Sequence, residues 1–273
     1  MTVLSCLLAT AGVHPIAFGA SRDPNAVRLK VDPNVARGAI NRAMKDLRRK
    51  IDLPALEQAL PKLAKGGKSS EVPAELEKSF RAMRKPAKAM RSLLVWLDDR
   101  HDRDAVGALP FATFVTELGK LNSAIGAGVS SEIAKRSEKT LAVMRGANFD
   151  SDIAQFVPTT NASFQTFLQG ELSKVRKELR SPTISAKKFH EIRKTVRGLY
   201  FSLHFAREAS TEPRALASAE ALLERISGDM ADVHEKQEKR GLRGKIDYDH
   251  FTFDFPAGIR GDLETMLASF DAR

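Results

Sequence analysis

Shifted by 109 positions, the stretch RAMRKPAKAMRSLLVWL, which begins at Arg81, lies over HEIRKTVRGLYFSLHFA, which begins at His190. Arg81 then meets His190, Arg84 meets Arg193, Lys85 meets Lys194, Lys88 meets Arg197 and Arg91 meets Tyr200. The apolar series coincides as well, with Met83, Ala87, Met90 and Leu94 over Ile192, Val196, Leu199 and Leu203. At about 100° per residue each apolar series forms one stripe of a helix, and the cations form a flank roughly 110° around from it. The same shift brings Leu118-Gly119-Lys120-Leu121 onto Ser227-Gly228-Asp229-Met230 in the next helical pattern of each half. Two consecutive helices in one register restrict the chain to two similar halves.

The rest of the sequence fits an all-α fold. It has two tyrosines and one tryptophan, and its valines and isoleucines mostly sit at helical spacing, so strand signals are scarce. Asp32-Pro33 opens a helix whose apolar face is Ala36, Ile40, Ala43, Leu47 and Ile51. A shorter helix around PALEQALPKLA precedes the flexible stretch GGKSSEVP, and DDRHDRD reads as a solvated turn before a helix starting near Pro110. In the second half Phe164, Leu168, Leu172, Val175 and Leu179 make one helical face, Ser181-Pro182 breaks it, and Ser185 caps the next helix. The expected organisation is an N-terminal tail over 1–30, a first helical repeat over 31–148, a linker over 149–162 and a second repeat over 163–273.

The formal net charge is +10, which favours an anionic partner: nucleic acid, a phosphate polymer or an acidic surface. A single cysteine, Cys6, rules out an internal disulfide framework and fits a reducing, cytoplasmic compartment. No apolar run reaches the length of a membrane span. The opening MTVLSCLLATAGVHPIAFGA lacks a basic start and is interrupted by His14-Pro15, so it reads as a tail in preference to a signal peptide.

The flank residues are the candidate site. In the second half they are His190, Arg193, Lys194, Arg197 and Tyr200, and in the first Arg81, Arg84, Lys88 and Arg91. Each half's leading helix adds cations, Arg37, Lys45 and Arg48 in one and Arg176 and Arg180 in the other. Two such flanks facing each other line a groove with like charge, which an anion would neutralise. Arginine supplies a planar donor fork and lysine a flexible point charge, both suited to phosphate oxygens. His190 beside phosphate would favour its charged form. His204 reads as a core-edge histidine with a backbone partner, and Trp96, Phe201 and Phe205 as packing residues.

The order His190, Arg193, Arg197, then Tyr200-Phe201 and an aliphatic run, is similar to the signature helix of the CHAD domain, the conserved histidine α-helical domain. The resemblance spans nearly everything from Val31 to Arg273, including GKLNSAIGAG and GDMADVHE in the helices that follow. It implies two four-helix bundles related by a pseudo-twofold axis and a basic central groove or pore that binds inorganic polyphosphate. By position it implies ligand contacts from His190, Arg193 and Arg197, with Arg84, Lys88 and Arg91 as counterparts. The chain is a divergent case: Arg81 stands where the family usually has histidine, and Gly198, Tyr200 and Ala89 stand where basic residues are common. Asn122-Ser123 and Ala231-Asp232 replace an arginine–aspartate pair. Pro86 inside the first signature helix implies a kink or a later start.

No Walker-type loop, dinucleotide fingerprint or nucleophile arrangement occurs, so no enzyme is expected and no cofactor is implied. KIDYDHFTFDF collects Asp247, Asp249, His250 and Asp254, but without ligand pairs at helical spacing, and no metal site is assigned there. The expected function is non-catalytic polyphosphate binding, with association to polyphosphate granules. The alternatives are a basic helical nucleic-acid-binding protein and a granule-associated structural protein.

Overall fold

The computed structural model describes residues 29–50, 52–66, 74–146, 149–208 and 213–271. Among them the chain forms eleven helices and one two-stranded sheet. The first half holds α1 (Pro33–Lys50), α2 (Leu53–Gly66), α3 (Ala74–Trp96), α4 (Arg103–Ala108), α5 (Pro110–Ala127), α6 (Ser130–Gly146) and α7 (Phe149–Ala154). The second holds α8 (Asn161–Leu179), β1 (Thr183–Ser185), α9 (Ala186–Glu208), α10 (Pro213–Leu242), β2 (Thr252–Asp254) and α11 (Ala257–Asp271). The expected tail falls outside the described residues up to residue 28. Leu29 is buried, with its carbonyl accepting from Gln165 Nε2, so ordered packing already begins there.

Local chemistry explains the helix starts. Asp32 Oδ1 accepts from the Asn34 amide at 2.8 Å ahead of α1, and Ser185 Oγ accepts from the Lys188 amide at 3.3 Å at the start of α9. Each satisfies a donor that a helix N-terminus leaves open. Pro86 neither delays nor ends α3, which begins at Ala74 and continues to Trp96. The ladder bond lost at proline is offset by burial of Met83, Ala87, Met90 and Leu94 around it.

Both apolar stripes read from the sequence are buried, Ile192, Val196, Leu199 and Leu203 among them, and they join one hydrophobic cluster running through the two halves. The helices α3 and α9, which the 109-residue shift superposes, pack directly on each other, and so do α5 and α10; α1 lies on α3, α2 on α6, and α10 on α9 and α11. The α3–α9 crossing depends on Gly198, because a Cβ there would lie 1.8 Å from Trp96 Nε1. Trp96 is 1% exposed and sits edge-on to Phe167 at 5.1 Å, so a basic residue at position 198 has no space. Phe201 and Phe205 are packing residues as well.

Two further sequence readings are corrected. Part of the region read as turn-rich pairs as a strand: β2 runs antiparallel to β1, placing Ile184 opposite Phe253, and Phe189 packs against Phe253 and Phe255 at 5.4 and 5.8 Å. The charged turn DDRHDRD is a built junction, not a solvated loop. Asp98 is 2% exposed and accepts from Arg100 Nε and Nη2, both at 2.7 Å, and from the Val157 amide at 3.1 Å. The Thr159 amide donates to the Leu97 carbonyl and the Asp99 amide to that of Val157, so the linker is stitched onto the end of α3. His101 takes a left-handed φ of 49° and stacks on Phe167 at 4.3 Å.

Candidate functional site

Packing α3 on α9 and α5 on α10 leaves a concavity of about 710 Å³ between these four helices. From α3 it takes Lys88 and Arg91, and from α9 His190, Arg193, Lys194 and Arg197. These are among the flank residues that the repeat register singles out, and they converge from both helices. The side chains of Arg81 and Arg84 lie outside the described residues. A smaller cavity of about 340 Å³ reaches toward α4 and Arg103, and it shares Arg91, Lys194 and Arg197 with the larger one.

Not every sequence candidate arrives there. Arg37, Lys45 and Arg48 are exposed on α1, away from the cavity, and Arg48 pairs with Asp150 of α7. Lys45 and Arg48 line a separate depression with Asn41, Arg49 and Ile153. Arg176 and Arg180 sit at the end of α8 and also do not line the cavity. The same 109-residue shift explains the asymmetry: it places α2, not α1, over α8, so α1 and α8 are not equivalent leading helices. Tyr200 is buried and donates to Glu224 Oε1 at 3.2 Å, while His204 Nδ1 lies 2.8 Å from Glu220 Oε1. The α9 flank thus divides, its first half turning to the cavity and its second half to carboxylates of α10.

The structure adds residues that are not among the sequence candidates, some of them from the helices that follow each flank. Lys120 and Ser123 of α5, Arg136 of α6, His234 and Glu238 of α10 and Tyr248 beyond it also line the cavity. Several cations are partly compensated. Lys120 lies 2.7 Å and Arg136 3.2 Å from Glu117, and Lys194 lies 2.7 Å from Glu191. The expected groove of uncompensated like charge is therefore tempered by rim carboxylates. At its floor the His190 and His234 rings stack at 4.4 Å, and the His190 Nδ1 is buried without a hydrogen-bond partner.

Burial and neighbouring cations act together on the groups that titrate here. Burial, followed by the charges of His234, Lys194, Arg193 and Arg197, holds the His190 pKa down at about 2. Burial and then Arg103 lower that of Arg91, which hydrogen-bonds the Thr116 hydroxyl at 2.7 Å. In the unfolded chain His190 takes up a proton near its usual value of 6.5, whereas in the folded chain it stays neutral. Without a bound anion, stability therefore falls as pH drops below about 6.5, with this group contributing up to about 1.4 kcal/mol per pH unit. Denaturant midpoints measured between about pH 6.5 and 5 lie above the range in which the unfolded carboxylates protonate. There His190→Gln flattens the slope, leaving residuals of opposite sign from His101, whose pKa burial lowers, and from His250, whose pKa the hydrogen bond to Asp247 raises. An unchanged slope would place His190 in solvent.

The segment around His250 forms a local turn, with His250 Nδ1 2.9 Å from Asp247 Oδ2, and no group of three His, Cys, Asp or Glu side chains among the described residues is placed to hold a metal ion. Among the described residues no helix is long and apolar enough to cross a membrane. Compared with known proteins, the chain matches no family model, no curated protein and no solved structure.

Proposed function

We propose that the chain is a divergent CHAD-like protein whose two helical halves, related by a pseudo-twofold axis, bind inorganic polyphosphate non-catalytically in the cavity between α3 and α9. The observation that carries this reading is the meeting of Lys88 and Arg91 with Arg193, Lys194 and Arg197 in one concavity, although their helices lie some hundred residues apart in sequence. Each charge-assisted hydrogen bond to a phosphate oxygen contributes roughly 1.5–3 kcal/mol before desolvation is counted. Several acting together hold a phosphate chain without reading any sequence. The position of the cations inside a concavity favours a thin flexible polyanion over a duplex, whose diameter exceeds the space available.

Equilibrium binding of long-chain polyphosphate and double-stranded DNA, at equal phosphate concentration and physiological salt, tests the reading. Polyphosphate binds preferentially, and its affinity falls with salt in proportion to the phosphates engaged. A preference for DNA, or no binding of polyphosphate, overturns it.

Nucleic-acid binding is the second reading, and one observation favours it. Arg37, Lys45, Arg49 and Lys50 stand exposed along α1, outside the cavity, where a duplex can reach them. Under that reading charge reversal on α1 abolishes DNA binding and charge reversal in the cavity does not.

A further inference from the structure

The cavity is not uniformly cationic. Its lysines and arginines come from α3, α5, α6 and α9. The wall formed by α10 and the loop after it contributes His234, Glu238, Gly241, Leu242, Tyr248 and Asp249, with no lysine or arginine among them. Val115 and Gly119 of α5 add further apolar and open surface. A bare phosphate chain leaves this wall unused and is repelled by its two carboxylates.

The wall is also built, not incidental. Tyr248 closes onto α10 because residue 241 is glycine, where an added Cβ would lie 3.0 Å from the tyrosine Cβ. Its ring stands edge-on to His234 at 6.1 Å, and His234 in turn stacks on His190. Glu238 is fixed by the Ser123 hydroxyl, which donates to Oε2 at 2.9 Å. Three aromatic rings and an anchored carboxylate therefore stand beside the cation cluster. Aromatic faces accept a flat heterocycle, carboxylates accept sugar hydroxyls, and the arginines and lysines accept phosphates. The volume of about 710 Å³ falls within the roughly 300–1,000 Å³ usual for small-ligand pockets.

We infer that the cavity takes a nucleoside polyphosphate, with its phosphates among Lys88, Arg91, Arg193 and Arg197 and its base and sugar against Tyr248, Leu242 and Glu238. This inference rests on the proposed anion-binding role of the cavity and narrows it to a ligand with an uncharged planar end.

Calorimetric titration of the intact chain with ATP, with tripolyphosphate as a bare anion of similar charge, and with long-chain polyphosphate tests it. Stacking of one base predicts that ATP binds about 10-fold or more tightly than tripolyphosphate. Tyr248→Ala then removes most of that advantage and leaves tripolyphosphate within about twofold, while Tyr248→Phe, which keeps the ring, retains it. ATP binding no tighter than tripolyphosphate, or Tyr248→Ala weakening both alike, overturns the inference. Long-chain polyphosphate binding without an ATP advantage rejects the inference and keeps the polyphosphate reading. An ATP advantage without long-chain binding does the reverse. Binding of none of the three rejects both.

Discussion

Gly198→Ala lowers the stability of the chain by about 3 kcal/mol or more, the upper end of what one added core methyl costs. The new Cβ would lie 1.8 Å from Trp96 Nε1, 2.4 Å from Cε2 and 2.5 Å from Cδ1. None of these is the free end of a flexible side chain. The indole is enclosed, with Phe164 and Phe167 beside it at 6.3 and 5.1 Å, so α9 itself must move off α3. For a chain of this size the thermal midpoint falls by about 6–12 °C. Trp96→Phe removes the atoms nearest the methyl, so the double variant is less destabilised than the sum of the two single changes. An unchanged midpoint in Gly198→Ala would mean that the two helices do not approach at this point. The displacement also separates Lys88 and Arg91 from Arg193 and Arg197, so weakened anion binding accompanies the loss of stability.

The second large effect is on binding. Lys88→Glu combined with Lys120→Glu lowers polyphosphate affinity by about 100-fold or more, because two charge-assisted contacts worth roughly 1.5–3 kcal/mol each become repulsive. Both lysines line the cavity; Lys120→Glu sets a carboxylate against Glu117, which Arg136 at 3.2 Å still pairs, so the thermal midpoint of the variant is measured alongside its affinity. The matched control carries Arg37→Glu, Lys45→Glu and Arg49→Glu on α1, whose affinity stays within about twofold at physiological salt because exposed distant charges are screened. Reversed ranking of the two variants would move the binding surface to α1.

Period and spacing made most of the fold legible. The stripes of α3 and α9 could be read from residues three and four apart, and burial follows them. His190, Arg193 and Arg197 were legible for the same reason, as a flank needs no knowledge of its partner helix. Tyr200 and His204 continue the same flank, yet their chemistry is set by Glu224 and Glu220, and only the packing of α9 on α10 brings those carboxylates near. Arg136 reads as one more charge on a polar helix, and its place at the cavity comes from α6 lying on α5. Tyr248 follows a stretch without helical period and is positioned through Gly241. Asp98 looks like any acidic turn residue, because the amide that it receives from Val157 is 59 residues away in sequence.

With the Asp98 carboxylate and the neighbouring backbone bonds holding residues 157–159 against the end of α3, the connection does not hang between the halves but is tied to the first of them. Because the halves also share one buried apolar cluster, a single calorimetric transition is expected, and two separated transitions would mean that the halves unfold independently.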